Sequence, residues 1–229
     1  MKKLLLLSVS LLATSLVASA QFNVNSSTEG WSGIRFSYAP TTLKYDKDYD
    51  IDNETLNGFS LEYFSDFNII ESIPLFLEIG AGLEWLTYSD SETESAYGVA
   101  VKVKSTDNIF TVNIPVNLGY KFSVNENVSI MPYVGLKARL GLSATSKITA
   151  KVTYDGETEK ESETYNLFSE DDMGDFTMKR FLIGWQVGAT AIFNQFTIGV
   201  NYGACFTDEV INDIDSRLGA VTISVGYIF

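Results

Sequence analysis

The sequence predicts an all-β chain, an eight-stranded antiparallel up-and-down barrel that crosses a membrane with its strands, and three observations carry that expectation. Eight segments alternate residue by residue between an apolar side and a small or polar side, the period of a strand whose two faces meet different surroundings. The connectors between them alternate short and long, so that all the short ones fall at one rim. Charge is sorted in the same way, because 22 of the 29 acidic residues lie in the four long connectors.

The chain opens with Lys2 and Lys3 ahead of an apolar run from Leu4 to Val17. Ala18-Ser19-Ala20 then places small residues at the −3 and −1 positions of a cleavage site before Gln21. That is the layout of an export signal, so residues 1–20 are expected to be removed and residues 21–229 to form one barrel domain. After residue 20 no segment approaches the roughly 18 apolar residues of a membrane helix, so a membrane-spanning chain must cross with strands.

The eight segments follow in order as Trp31–Ala39, Leu56–Ser65, Leu75–Tyr88, Ile109–Ser123, Val128–Ser143, Arg180–Phe193, Phe196–Phe206 and Arg217–Phe229. The first carries Arg35 on its polar side and the second carries Glu62 on its own. In the third, Leu75, Leu77, Ile79, Leu83 and Trp85 oppose Phe76, Glu78, Gly80, Gly82 and Glu84. The fourth sets Phe110, Val112, Ile114, Val116, Leu118, Tyr120 and Phe122 against Thr111, Asn113, Asn117 and Lys121. In the fifth, Lys137 and Arg139 oppose Val134, Leu136 and Leu140. Gln186, Asn201 and Cys205 keep the same parity in the sixth and seventh, and the eighth, VTISVGYIF at its end, opposes Val221, Ile223 and Val225 to Thr222, Ser224 and Gly226.

The short joins are SDFNIIESIP, SVNENV and Asn194-Gln195; the long ones are Pro40–Thr55, Ser89–Asn108, Ser143–Met178 and Thr207–Ser216. Short turns facing the periplasm and long loops facing outward are the arrangement of an outer-membrane barrel, whereas a soluble meander has no reason to sort its loops. The apolar set is also broad and aromatic, while the opposite set is rich in residues small enough for a narrow lumen. The apolar side is therefore expected to face lipid. Aromatics gather at both ends of the strands, with Tyr63, Tyr120, Phe122, Phe193, Phe196, Tyr227 and Phe229 on the turn side. Tyr38, Trp85, Phe110, Phe181 and Phe206 lie on the loop side, completing the two girdles of an interfacial belt.

This parity sends Arg35, Glu62, Glu78, Glu84, Lys121, Lys137 and Arg139 into the lumen. Isolated buried charges are very costly, so these side chains are expected to pair in one ion-pair and hydrogen-bond network that fills the tube. A filled lumen suits a structural or interaction protein of the cell envelope that acts through its acidic outer loops; gated passage of an ion or small solute and a part in a secretion assembly are the competing readings.

Several chemistries are disfavoured. The chain has no histidine, the commonest general base and zinc ligand, so no catalytic residue, metal site or cofactor is expected. Cys205 is the single cysteine, and a formal charge of −13 argues against nucleic acid. YDKDYDIDNET alternates Asp46, Asp48 and Asp50 as an EF-hand loop does, but Ile51 stands at the turn glycine and Asn57 at the closing Glu. It reads as a solvated charge run, as does SEDDMGD. Within the third long connector, KITAKVTY, the turn pair Asp155-Gly156 and ETEKESETY read as a hairpin extending the fifth and sixth strands beyond the membrane. Residues 96–104, AYGVAVKVK, are positioned to add a strand beside it. The exposed edges of such a sheet could take a protein partner.

FTVNIPVNLGYKF resembles the hairpin signature of the PorT-like outer-membrane β-barrel domain of Bacteroidetes, and MPYVGLKARLGLSA resembles the strand that follows it. Phe181–Asp208, with TIGVNYGACFTD, is similar to the penultimate hairpin of that family, and Phe229 resembles the terminal signal read by the barrel-assembly machinery. The resemblance implies an integral outer-membrane barrel of a Gram-negative bacterium, with outer-membrane lipid, lipopolysaccharide and the assembly machinery as partners. The protruding hairpin resembles that of OmpX-type barrels. A place in a secretion assembly is not implied, since no motif here is reserved to that role. Enzymes among barrels of this size use a histidine base, which this chain lacks.

Overall fold

The computed structural model describes residues 29–45, 54–96, 99–154, 157–174, 177–206 and 216–229. The expected export segment 1–20, most of the acidic run at 45–55 and most of the fourth long connector lie outside them. Ten strands form one antiparallel sheet: β1 (Trp31–Tyr45), β2 (Glu54–Ile70), β3 (Ile73–Ala96), β4 (Val99–Tyr120), β5 (Phe122–Asn125), β6 (Val128–Tyr154), β7 (Glu157–Asn166), β8 (Phe181–Phe193), β9 (Phe196–Cys205) and β10 (Ser216–Ile228). One helical turn, α1 (Glu170–Met173), lies between β7 and β8. Among the described residues no helix is long and apolar enough to cross a membrane.

The sheet closes on itself. β4, β3, β2, β1, β10, β9, β8 and β6 are hydrogen-bonded in that order, and β4 pairs again with β6, giving a ring of eight strands. Closure removes every edge within the ring, which lets a β-structure satisfy its backbone polar groups in lipid. β5 continues the path of β4 after Lys121, whose backbone N–H bonds the Pro74 carbonyl. β1 and β10 seal the barrel from Gly33↔Ile228 to Tyr45↔Ser216.

All three described turns of the ring are at one rim, and each is two residues long. Glu71-Ser72 joins β2 to β3, Glu126-Asn127 joins β5 to β6 and Asn194-Gln195 joins β8 to β9. Asn194 adopts φ 53°, the positive value that matches a tight turn to the twist of its strands. SDFNIIESIP, expected as a connector, is therefore mostly strand, with the turn confined to two residues. The apolar Ile69, Ile70 and Ile73 hid the turn from a reading that looked for Gly, Pro or Asn.

At the opposite rim the strands outrun the expected loops. Ser89–Asn108 is a continuous hairpin paired from Ser89↔Thr106 to Ala96↔Val99. β6 runs on to Tyr154, pairing β4 on one side and β7 on the other. The segment beyond the ring is thus a four-stranded sheet of β3, β4, β6 and β7. The expected continuation of the sixth segment is corrected: β6 pairs β8 only as far as Leu140↔Phe181, and above that level β7 takes its place. The chain returns from β7 to β8 through α1 and residues packed over the barrel mouth.

Alternate burial confirms the direction of each face. Ile34, Phe36, Leu61, Leu83, Ile114, Val134, Ile198 and Val225 are exposed, while Arg35, Ser37, Glu84, Asn113, Arg139, Thr197 and Ser224 are buried. An exposed apolar exterior around a polar interior is the inverse of a water-soluble barrel.

Candidate functional site

The lumen is layered. At its centre the Arg35 guanidinium reaches both Glu62, Nη1 to Oε1 at 3.3 Å, and Glu78, Nη2 to Oε2 at 2.5 Å. Asn117 donates to Glu78 Oε1 at 2.7 Å, and Gln186 donates to Asn117 Oδ1 at 2.7 Å, tying β1, β2, β3, β4 and β8 across the tube. A second group centres on Glu84, which takes Arg139 Nη2 at 2.7 Å and Lys137 Nζ at 3.6 Å. Thr111 also donates to Glu84 at 3.4 Å. Glu78 and Glu84 are 2 % and 3 % exposed, so neither carboxylate has water as its main partner.

Small residues make this arrangement possible. A Cβ on Gly135 would lie 2.1 Å from Asn117 Oδ1 and 2.3 Å from the Val116 carbonyl. One on Gly80 would meet the Pro115 ring at 2.9 Å and the Glu62 carboxyl at 3.1 Å. The space that these glycines leave is taken by the long polar side chains of neighbouring strands.

Among the described residues Lys121 forms no salt bridge with Glu62, Glu78 or Glu84, which corrects its expected place in the network; the acidic groups that act on it are Asp66, which also faces Arg35 and Glu78, and Glu29. The Lys121 Nζ lies 4.7 Å above the Trp31 ring and 5.4 Å from the Phe76 ring, at the turn-side end of the lumen. Parity aims it inward, and its place on the strand puts it near Asp66 rather than in contact with Glu78 or Glu84. Phe64 and Phe76 are almost wholly buried in that layer, and Arg35 lies 4.4 Å over the Phe64 ring. Asp66, 2 % exposed, was missed because the second segment was ended at Ser65; it continues the even parity of Glu62 and Phe64.

The loop-side end is apolar, which the residue-by-residue polarity did not suggest. Leu43, Leu56, Leu86, Ile109 and Leu218 point inward from the ring and pack with Ala144 and Leu167. Phe168, Met173 and Met178 cover them from the β7–β8 connection. Phe168 occupies the space over Gly141, and Arg180 stacks on its ring at 4.4 Å while bonding the Gly141 carbonyl. Cys205 packs beside this lid. Between lid and charges remain cavities of about 40 and 30 Å³. Each has room for only a few water molecules, since one needs about 10–15 Å³.

The aromatics divide between the two rims on the outer surface. On the turn side Tyr63 lies 6.2 Å from Phe229, Phe196 5.5 Å from Tyr227 and Tyr120 4.6 Å from Phe122, centroid to centroid. Phe193 pairs with Phe196 across the β8–β9 turn. On the loop side Tyr38, Phe59, Trp85 and Phe110 form one ladder with spacings of 5.3, 6.0 and 6.0 Å. Phe59 was missed there, although it shares parity with Leu61 and Tyr63. On the projecting sheet Tyr165 donates to Glu163, and the loss of that bond on ionisation holds its phenol above the usual range.

Among the described residues no group of His, Cys, Asp or Glu is placed to hold a metal. The decisive comparison is with protein families: the model of the outer membrane protein beta-barrel domain matches residues 9–229. The chain belongs to that family. It therefore resides in the outer membrane of a Gram-negative bacterium. A search among curated proteins returns no match. Solved structures similar to this family member include Ail, the attachment invasion locus protein of Yersinia pestis, at 20% identity over 88% of this chain and 99% of that one, with TM-score 0.39. Neisserial surface protein A is similar at 15% identity, with the same coverages and TM-score 0.42. The outer membrane enzyme PagL is similar at 11% identity over 84% and 98%, with TM-score 0.43.

Proposed function

We propose that this outer-membrane barrel is a non-conducting, non-enzymatic scaffold that holds a four-stranded sheet above the membrane as an interaction surface of the cell envelope. The observation that carries this reading is the contrast between the two halves of the chain's length. Inside the ring, ion pairs, aromatic side chains and an apolar lid line the lumen, and two cavities between them measure about 30 and 40 Å³. Beyond the ring, β3, β4, β6 and β7 continue in register as far as the pairs Ala96↔Val99 and Tyr154↔Glu157. Ordered pairing over that distance supports a surface whose shape matters, because backbone hydrogen bonds exposed to water are otherwise easily lost. Among the described residues no strand pairs the outer edges of β3 and β7 there, and each could accept one. The chain's lack of histidine supports a role without acid–base chemistry. The PorT-like resemblance of β4 to β6 fits such a member and carries no secretion role with it.

Planar-bilayer recording tests the scaffold. The refolded protein is expected to show no steady unitary conductance; steady openings that change when Glu84 or Arg139 is replaced would establish a gated path instead. Crosslinking from positions on the β6–β7 hairpin in intact cells tests the surface, with reproducible adducts expected from the hairpin and none from the turn rim.

A further inference from the structure

The charges of the projecting sheet are sorted completely between its two faces. On the face continuous with the lumen, β3 presents Asp90, Glu92 and Glu94 and β7 presents Glu157, Glu159, Glu161 and Glu163, flanking Val101, Val103, Ile148 and Val152. On the face continuous with the lipid-facing wall stand Lys102, Lys104, Lys147, Lys151 and Lys160, all exposed around one open concavity of about 460 Å³. Every other side chain of that face within the paired strands is Ser, Thr, Ala or Asn, with no carboxylate.

This arrangement works against folding. Lys151 is the direct cross-strand partner of Lys102 on one side and of Lys160 on the other, a row of three like charges. Strands lie about 4.8 Å apart and like charges directly opposite destabilise a sheet. A surface serving solubility alone would alternate the signs, and a one-residue offset in β7 would have set glutamates against these lysines. In a chain of net charge −13, a carboxylate-free lysine face marks a place where negative charge arrives from outside.

Height selects the source. Phe110 belongs to the loop-side aromatic ladder, and on its strand Lys104 and Lys102 lie six and eight residues further out on the same parity. At about 3.3 Å per residue and a tilt near 45°, that is about 14 to 19 Å above the aromatic level. Lys147, paired with Thr106, sits lower, about 9 Å above it. A headgroup layer is only about 5–8 Å deep, so a glycerophospholipid phosphate reaches no higher than Lys147. The tilt of the strands spreads the row Lys102–Lys151–Lys160 over about 7 Å of height, and even its lowest position, about 12 Å above the aromatic level, is that of sugars carried above the lipid. We infer that this face binds a phosphorylated saccharide headgroup of lipopolysaccharide held in the same outer leaflet, fastening the projecting sheet upright against the membrane surface. The inference rests on the outer-membrane placement and does not depend on whether the lumen conducts.

The test uses the full protein refolded in phosphatidylcholine nanodiscs, with amide hydrogen exchange read by mass spectrometry. Doping with lipopolysaccharide is expected to slow exchange in the β6–β7 hairpin while leaving the ring strands unchanged. The triple variant Lys102→Gln, Lys151→Gln, Lys160→Gln, with ring protection intact as the proof of folding, is expected to need about 100-fold more lipopolysaccharide, at roughly five-fold per lysine near an anionic surface. Three results would overturn the inference. They are equal protection by enzymatically dephosphorylated lipopolysaccharide, equal protection by phosphatidylglycerol, and protection by soluble tripolyphosphate without any by lipopolysaccharide. Unitary conductance, measured separately, bears on the scaffold reading and leaves this outcome untouched.

Discussion

Replacing Glu84 by alanine removes the carboxylate that pairs with both Lys137 and Arg139. Glu84 is 3 % exposed, with Arg139 Nη2 at 2.7 Å, Lys137 Nζ at 3.6 Å and the Thr111 hydroxyl at 3.4 Å. The variant leaves two cations in a narrow lumen beside cavities of about 40 and 30 Å³, which hold a few water molecules and do not supply a full hydration shell to both. Breaking a buried pair by removing one partner costs about 3–5 kcal/mol, against about 0–1 kcal/mol for an exposed pair. Glu84→Ala is therefore expected to lower stability by about 4 kcal/mol, the middle of the buried range. Urea titration in lipid vesicles, followed by tryptophan fluorescence, measures it. The triple variant Glu84→Met, Lys137→Met, Arg139→Met is expected to recover most of the loss, because an apolar replacement of a whole buried ion group is often neutral. A loss below about 1 kcal/mol for Glu84→Ala would refute the reasoning, since it is the value of a pair already solvated by water.

Two further substitutions probe packing. Gly135→Ala drives a Cβ into the Asn117 amide and the Val116 carbonyl, and overpacking of this kind costs about 1–3 kcal/mol in the same titration. Gly219→Ala, whose nearest atom would be 3.5 Å away, is the matched control and is expected to be neutral or slightly stabilising. Leu86→Ala, at a 1 % exposed position of the lid, is expected to cost about 2–5 kcal/mol and to speed proteolysis of the 167–180 connection, read by limited digestion of the reconstituted protein.

Which residues face inward was legible in the sequence, because a period of two leaves only one choice per strand and a wrong choice moves every side chain together. That is why Arg35, Glu62, Glu78, Glu84, Lys137 and Arg139 could be named as lumen residues from parity alone. Their partners could not be read. Which side chains meet across a tube depends on the stagger of all eight strands, a quantity that closure sets and no single segment carries. Lys121 shows the consequence: the right face, but a height that places it over Trp31 and Phe76 and toward Asp66 and Glu29 rather than in a salt bridge with Glu62, Glu78 or Glu84. The apolar lid was hidden for a related reason. Leu43, Leu56, Leu86, Ile109 and Leu218 lie on five strands, and each looks like a lone exception until the ring brings them to one level.

The sequence by itself determined the class of structure, the face of each strand, the rim of each turn and the membrane that such a chain inhabits, since these follow from local periodicity and composition. Only the tertiary structure decided the register. The shift between Phe110 and Thr111 in the pairing of β4 with β6 sets which residues stand side by side above the membrane. KITAKVTY and ETEKESETY each alternate in plain view, yet that lysines meet lysines on one face, and carboxylates collect on the other, emerges only when four strands are aligned. Alternation is a property of one strand; the field of a surface belongs to the strands together.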